Sequence, residues 1–154
     1  MKLQIVLFLI FSGFVFGQTN SDALMSDPDF VFPVYPNCKK HIKNNEKLQS
    51  CFYENLWYDL NSLHKIGSSD YFEINAEAQK TTVIFTIDKN GDLTNFGYTE
   101  GSNPELAKDY LRQIRETILY NKKKKKFLIP AKFKGEAVDF KMTMSVVLRY
   151  GGMI

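Results

Sequence analysis

The sequence has few of the residues from which most enzyme active sites are built. It contains two histidines, His41 and His64, and these lack metal-ligand spacing with each other and with the two cysteines. A glycine-rich phosphate loop, a nucleophile elbow and a His-Glu-x-x-His motif are all missing. The acidic residues are scattered, and none of them forms a distinct pair. The sequence therefore predicts a protein that is not an enzyme and that binds no cofactor or metal ion.

The sequence also has little excess of either charge. Its formal net charge of +3 at pH 7 is too small to indicate a nucleic-acid partner. The lysine run at 122–126 is local, and it lacks the interleaved aromatics or the basic amphipathic helix expected of an RNA- or membrane-binding segment. We interpret this run as a solvated connection after a helix, and we expect no binding to nucleic acid.

An apolar run at 3–16 follows Lys2 and ends at the small residue Gly17. The run is shorter than the about 20 residues that a membrane-spanning helix needs. A positive residue, a short apolar stretch and a small residue at the break predict a secretory signal peptide at 1–17. We therefore expect an exported protein, periplasmic or secreted, that does not span a membrane after cleavage.

The two cysteines, Cys38 and Cys51, are the only ones in the sequence. Export would place them in a compartment where disulfides form and persist. They do not have the Cys-x-x-Cys spacing of redox enzymes. We therefore expect one structural disulfide between Cys38 and Cys51 rather than a catalytic thiol.

The pentapeptide DKNGD at 88–92 is compatible at first sight with a calcium loop or with a turn. A calcium loop of the EF-hand type needs Gly at its sixth position and Glu at its twelfth, which here are Leu93 and Thr99. Instead, apolar residues alternate with others before the segment, at Val83, Phe85 and Ile87, and Leu93, Phe96 and Tyr98 follow it. The sequence therefore predicts a β-hairpin with a tight turn, in which Asn90 and Gly91 take positive φ angles.

Apolar residues at spacings of three and four predict two helices. The first covers about 45–65, and its spacing places Tyr53 and Trp57 with the core residues. The second begins at Pro104, with Asn103 as its cap, and continues to about residue 120.

Three further segments complete the secondary-structure prediction. Strict alternation of apolar and polar residues at 138–150 predicts a long strand with one buried face. The proline-containing segment at 18–37 is predicted to be extended. Pro130 and Gly135 predict that FLIPAKFKGEAV at 127–138 has no regular structure.

Three segments carry a family resemblance through their order and spacing: VIFTIDKNGDLTNF at 83–96, NPELAKDYLRQI at 103–114 and IPAKFKGEAVDFKMTMSVVLRY at 129–150. Together they resemble the C-terminal domain of the TonB energy-transducer family, in the form common among exported proteins of Bacteroidetes-type bacteria. The upstream FPVYPNC resembles the cysteine-bearing extension of that group. The expected form lacks the membrane anchor and Pro-rich rod of full transducers. We assign 18–37 to an extended segment and 38–154 to the TonB-like domain.

The resemblance implies an α+β fold with a three-stranded antiparallel sheet in the order second, first, last strand, and with two helices on one face. The last strand would then lie at an edge, where an extended peptide can bind through main-chain hydrogen bonds. In the family, this edge binds the TonB box of outer-membrane transporters. The resemblance therefore implies a non-catalytic periplasmic interaction module with such a transporter as its partner. The implied binding residues are Lys141, Thr143, Ser145, Val147 and Arg149.

Functions of other classes remain open at this point. A secreted α+β module that binds a small apolar ligand would need a sizeable closed pocket between helices and sheet. A secreted protease inhibitor of cystatin-like layout would need an exposed Gln-x-Val-x-Gly type of loop, which the sequence lacks. A homodimer is also left open.

Overall fold

The computed structural model describes residues 24–64 and 79–148. Within these ranges the protein has an α+β fold with two helices and two three-stranded antiparallel sheets. The predicted signal peptide, the residues at 65–78 that lead into the hairpin, and Arg149 lie outside the described residues. None of the helices in the described ranges is long and apolar enough to cross a bilayer.

The main sheet contains the predicted hairpin and the long last strand, which begins at Phe140 rather than at Val138, because Val138 belongs to a strand of the second sheet. The strands of the main sheet lie in the order β3 (Leu93–Tyr98), β2 (Gln79–Ile87) and β6 (Phe140–Leu148). The last strand therefore lies at an edge, as the family resemblance implied. A second sheet has the order β1-β4-β5. In chain order the elements are β1 (Phe30–Val31), a short 3-10 helix (Lys39–His41), α1 (Asn45–His64), β2 (Gln79–Ile87), β3 (Leu93–Tyr98), α2 (Pro104–Lys123), β4 (Ala131–Phe133), β5 (Glu136–Val138) and β6 (Phe140–Leu148).

The two helices agree with the prediction except for the end of α2 and the exposure of Trp57. The Asn103 side chain accepts a hydrogen bond from the Leu106 N–H at 3.0 Å and so caps α2 as expected. The helix then continues to Lys123, beyond the predicted end. The prediction that Trp57 belongs to the core was wrong, because α1 buries a narrower face and leaves this side chain 42% exposed.

One hydrophobic core joins both helices, one face of the main sheet and the N-terminal segment. Alternation along β2 and β6 puts every second side chain on this face. The other face of the two strands carries mainly threonine, serine and lysine. The buried apolar side chains from the two strands are Val83, Phe85, Ile87, Phe140, Met142, Met144 and Val146, and Thr81 of β2 is also buried.

The segment before α1 is an integral part of the core. Phe32 is buried and its ring lies 5.4 Å from that of Phe140 and 5.9 Å from that of Phe52. The Asn45 side chain accepts a hydrogen bond from the Phe32 N–H and donates one to the Phe30 carbonyl, at 2.8 and 2.9 Å. The described part of the predicted extended segment thus packs along the domain.

The prediction that FLIPAKFKGEAV at 127–138 has no regular structure was wrong, because this segment contributes two strands to the second sheet. β4 and β5 form a hairpin in this segment, and β1 pairs with β4 through Phe30 and Phe133. Pro130 precedes β4 and therefore removes no hydrogen bond within it. Lys134 and Gly135 both have positive φ angles, 51° and 83°, as a two-residue hairpin turn requires. These residues connect two strands instead of preventing them.

The expected disulfide between Cys38 and Cys51 is present, with a Cα–Cα distance of 5.9 Å. It joins the end of the N-terminal segment to the early turns of α1. The two cysteines are separated by 13 residues in sequence. Closing a loop of this length contributes about 3 kcal/mol in the chain-entropy model.

A buried polar network joins the same segment to both helices. The Tyr35 hydroxyl donates to Asp59 Oδ2 at 2.7 Å. Asn121 near the end of α2 donates to the Tyr35 oxygen at 2.9 Å and to Asp59 Oδ2 at 2.7 Å. Burial, and next the hydrogen bond to Asp59, raises the pKa of Tyr35 far above its ordinary value. Each member therefore has a partner in a region where an unpaired polar group is costly.

The turn between β2 and β3 differs from the predicted one. Gly91 has a positive φ of 82°, whereas Asn90 does not. The Gly91 N–H donates to the Asp88 carbonyl, and the Asp88 N–H donates to the Asp92 carbonyl, both at 2.9 Å. This is a three-residue loop with a glycine bulge rather than a two-residue turn. Hydrogen bonds to its carboxylate, above all from the Asp92 N–H, lower the pKa of Asp88.

We predict that Gly91→Ala destabilises the protein more than Gly101→Ala. Both glycines have φ near 80°, but a Cβ at Gly91 would lie 2.6 Å from the Leu128 carbonyl oxygen. A Cβ at Gly101 would meet no atom of the described residues within 4 Å. Urea unfolding should show a loss of about 1 kcal/mol for Gly101→Ala and about 2 to 4 kcal/mol for Gly91→Ala. Equal losses would contradict a role for the Leu128 contact.

We predict that Tyr35→Phe costs about 1 to 3 kcal/mol of stability, because Asp59 and Asn121 lose a buried partner. Tyr110→Phe is the matched control. The Tyr110 hydroxyl is also buried but has no hydrogen-bond partner among the described residues. Its removal should change the free energy of unfolding by about 0.5 kcal/mol or less. Thermal and urea unfolding of both variants would test the network, and similar losses would argue against it.

Candidate functional site at the edge of β6

The pairing of β2 with β6 fixes which side chains share a face. The two strands lie opposite each other at nine consecutive positions, from Gln79 opposite Leu148 to Ile87 opposite Phe140. Residues directly opposite in an antiparallel pair point to the same side of the sheet. Alternate β6 side chains therefore point away from the core. The exposed members are Lys141, Thr143, Ser145 and Val147.

The hydrogen bonds of Thr82 show which way the main chain of β2 points. Its carbonyl accepts from the Thr99 N–H at 3.0 Å, and its N–H donates to Ser102 Oγ at 2.9 Å. Both partners lie in the connection that follows β3. Because consecutive residues of a strand direct their main-chain groups to opposite edges, Thr81 and Val83 must direct theirs to β6.

The same alternation applies to β6. Val146 lies opposite Thr81, and Met144 lies opposite Val83, so these two β6 residues form the hydrogen-bonded pairs with β2. The residues between them direct their N–H and C=O groups to the other side. In the part of the chain that the structure describes, no further strand pairs with that side of β6. The β6 residues whose main-chain groups point away from β2 are therefore Lys141, Thr143, Ser145 and Val147.

Tyr53 gives independent support for this alternation. Its hydroxyl donates a hydrogen bond to the Thr143 carbonyl at 3.2 Å. Tyr53 belongs to α1 and not to β2, so the contact agrees with a Thr143 carbonyl that points away from β2. The side chain is partly buried, and this burial raises the pKa of Tyr53. Trp57 follows four residues later, on the same face of α1. Tyr53 of α1 thus contacts the edge directly.

The opposite edge of the sheet, β3, is shorter and less regular. The pairing of β2 with β3 shifts register between Ile84 and Thr86. Asn95 has a positive φ of 51° within β3. A bulge of this kind twists a strand and makes it a poorer template for another strand. β6 is therefore the longer and more regular of the two edges.

The structure thus brings together four of the five residues implied by the resemblance, and Arg149 lies outside the described residues. Sequence reasoning missed Tyr53 as an edge residue. Its helical spacing places it beside the core but does not reveal its hydrogen bond to β6. Sequence reasoning also missed Asp59, because its hydrogen bond with Tyr35 joins residues that are far apart along the chain.

A surface depression of about 520 Å³ lies beside the disulfide. Its lining is mainly polar and includes Lys40, His41 and Glu54. It therefore does not provide the closed apolar pocket that a small apolar ligand would need. Among the residues that the structure describes, no group of three or more His, Cys, Asp or Glu side chains could hold a metal ion.

Comparison with known proteins assigns no relative to this chain. No protein-family model, curated protein or solved structure matches it. The geometry of the β6 edge is therefore the basis for a functional proposal.

We predict that amide hydrogen exchange alternates along β6. Amides that bond to β2, those of Met142, Met144 and Val146, should exchange slowly. The amides of Thr143 and Ser145 point away from β2 and should exchange faster by about tenfold or more. Exchange measured residue by residue by NMR would test this. Uniform protection along the strand would show that the edge is already covered.

Proposed function

We propose that the protein is a non-catalytic interaction module that binds an extended peptide as an additional strand along β6. The observation that carries this proposal is the outward direction of the main-chain groups at alternate residues of a long, regular edge. A guest strand would bond to these N–H and C=O groups. Main-chain contacts would supply most of the affinity, and side chains would supply selectivity.

The features around the edge fit a peptide guest. Guest side chains that point towards the helix side would approach Tyr53 and Trp57, both of which offer aromatic surface. Guest side chains on the other face would lie near Lys141, Thr143 and Ser145. We therefore propose a guest with alternating apolar and polar residues. The Tyr53 hydroxyl would give up its bond to Thr143 when the guest pairs at that position.

The resemblance of 83–96, 103–114 and 129–150 to the TonB C-terminal domain supports a specific partner. We propose that the guest is the periplasmic segment of an outer-membrane TonB-dependent transporter. The proposed compartment is the periplasm, and the Cys38–Cys51 disulfide fits such an oxidising environment. The observed strand order, with the last strand at an edge, supports the same assignment.

We predict that Val147→Pro abolishes peptide binding while leaving the fold intact. Proline removes the N–H that would bond to the guest, and an outward N–H makes no ladder bond with β2. Ser145→Pro should behave in the same way. The measurement is a calorimetric titration with synthetic nine-residue peptides, equal in length to β6, copied from the periplasmic segments of transporters.

Two controls accompany this titration. Thr143→Ala keeps every main-chain group and should change the affinity by less than about threefold. Val146→Ala, on the buried face, should lower stability by about 1 to 3 kcal/mol and leave the affinity of the folded fraction unchanged. Full binding by folded Val147→Pro and Ser145→Pro variants would rule out strand addition on this edge. Edge-to-edge pairing with a second copy would instead appear as a dimer in light scattering that both proline variants abolish.

A further inference from the structure

The lysines at 122–126 and three apolar side chains beside them in sequence lie around the end of α2, and the proposed peptide binding does not use them. We call this surface the basic patch. Leu119 and Tyr120 precede the lysines and are 48% and 40% exposed, and Phe127 follows them and is 55% exposed. The whole chain has a net charge of +3, so without these five lysines its charge would be −2. Five of the 20 lysine and arginine residues of the chain lie in this run of five positions.

The lysines of the patch differ in what they contact. The Lys122 ammonium lies 2.7 Å from Asp92 Oδ1, and the Lys124 ammonium lies 4.4 Å from the centre of the Tyr120 ring. The side chains of Lys123, Lys125 and Lys126 are exposed, and within residues 24–64 and 79–148 they form no ion pair. Three ammonium groups are therefore available to an external anion.

The backbone of the patch is held in a strained conformation. Lys126 N–H donates to the Asn121 carbonyl at 2.9 Å, and Lys125 N–H donates to the Lys122 carbonyl at 3.0 Å. These bonds form a Schellman motif, in which the residue at the position of Lys125 is usually glycine. Lys125 instead has a φ of 59°. A left-handed φ is uncommon for a non-glycine residue, so lysine is an unfavourable choice for the backbone at this position.

The helix dipole explains only part of this surface. Cations in the last turn of a helix are favourable, which is sufficient reason for Lys122 and Lys123. The effect falls off beyond the last turn, so it does not favour Lys126. It also gives no reason for the exposure of Leu119 and Phe127. Free ammonium groups beside exposed apolar side chains are suited to a partner that offers both anionic and apolar contacts.

The sequence alone predicted a solvated connection at 122–126, because it does not show that the apolar side chains on either side of the lysines are exposed. We propose instead that the basic patch binds the surface of a bilayer that contains anionic phospholipids. Lysine ammonium groups are attracted to the lipid phosphates, and Phe127 and Leu119 would enter the boundary between headgroups and acyl chains. A single-stranded polynucleotide is instead bound in a groove lined by stacking aromatic residues. The patch lies at the end of a helix and includes an exposed aliphatic side chain, Leu119, which favours the bilayer.

The test is sedimentation of the protein without its predicted signal peptide, residues 18–154, with vesicles of phosphatidylcholine, with and without phosphatidylglycerol. Binding should need phosphatidylglycerol and should weaken as the salt concentration rises. The variant with Lys123→Gln, Lys125→Gln and Lys126→Gln should lower the partition coefficient by roughly a hundredfold, at about fivefold per lysine. The matched control is Lys39→Gln, Lys40→Gln and Lys43→Gln, which removes the same charge from exposed sites around the 3-10 helix and should cost less than about fivefold.

A second variant separates lipid insertion from charge alone. Phe127→Ser should weaken vesicle binding by about tenfold or more while leaving its salt dependence unchanged. Circular dichroism would confirm that each variant is folded. Equal losses for the two triple variants would overturn the proposal, as would binding that does not depend on phosphatidylglycerol. Tighter binding of a single-stranded oligonucleotide than of the anionic vesicles would assign the patch to nucleic acid instead.

Discussion

The pairing of β2 with β6 is the interaction on which the rest of the structure depends. Because the two strands match at nine consecutive positions, a single register decides which side chains are buried and which main-chain groups point away from β2. A shift by one residue would place Met142 and Met144 in solvent and the hydroxyls of Thr143 and Ser145 in the core. The same shift would also reverse the main-chain groups at the edge. Core packing therefore fixes the candidate binding site.

The N-terminal segment also stabilises this arrangement, through contacts with both β6 and α1. Phe32 packs between Phe140 of β6 and Phe52 of α1. The disulfide at Cys38 and the buried hydroxyl of Tyr35 then attach the segment to α1. These contacts hold α1 close enough to β6 for its aromatic side chains to approach the edge. Loss of the segment would expose the core and also release the helix that flanks the site.

Much of the fold follows from local sequence patterns, because hairpin, helices and last strand all have clear periodicity. The errors arose in turns, where the conformation of the backbone depends on a few residues. Asn90 was predicted to take a positive φ, but the Asp88 carboxylate accepts from the Asn90 and Asp92 N–H groups and favours a longer loop. Lys134 was not recognised as a turn residue, because left-handed lysines are uncommon.

The sequence predicted only part of the candidate site. Alternation along a strand shows which side chains share a face, but it carries no information about which edge the N–H and C=O groups of each residue point to. That direction depends on the pairing of β2 with β3 as well as with β6, and here it is revealed by Thr82 and Tyr53. The family resemblance supplied the strand order, and long-range hydrogen bonds supplied the direction.

The edge and the basic patch are placed so that one molecule can use both. Lys122 reaches Asp92 in the turn between β2 and β3, and the Lys89 N–H of that turn donates to Asp139 just before β6. The basic patch therefore lies at the end of the sheet where β6 begins, whereas Val147 lies near the other end. A bilayer bound at the first end would leave the last residues of the edge accessible. A peptide held there would be kept close to the membrane surface, which raises its effective concentration for any second contact.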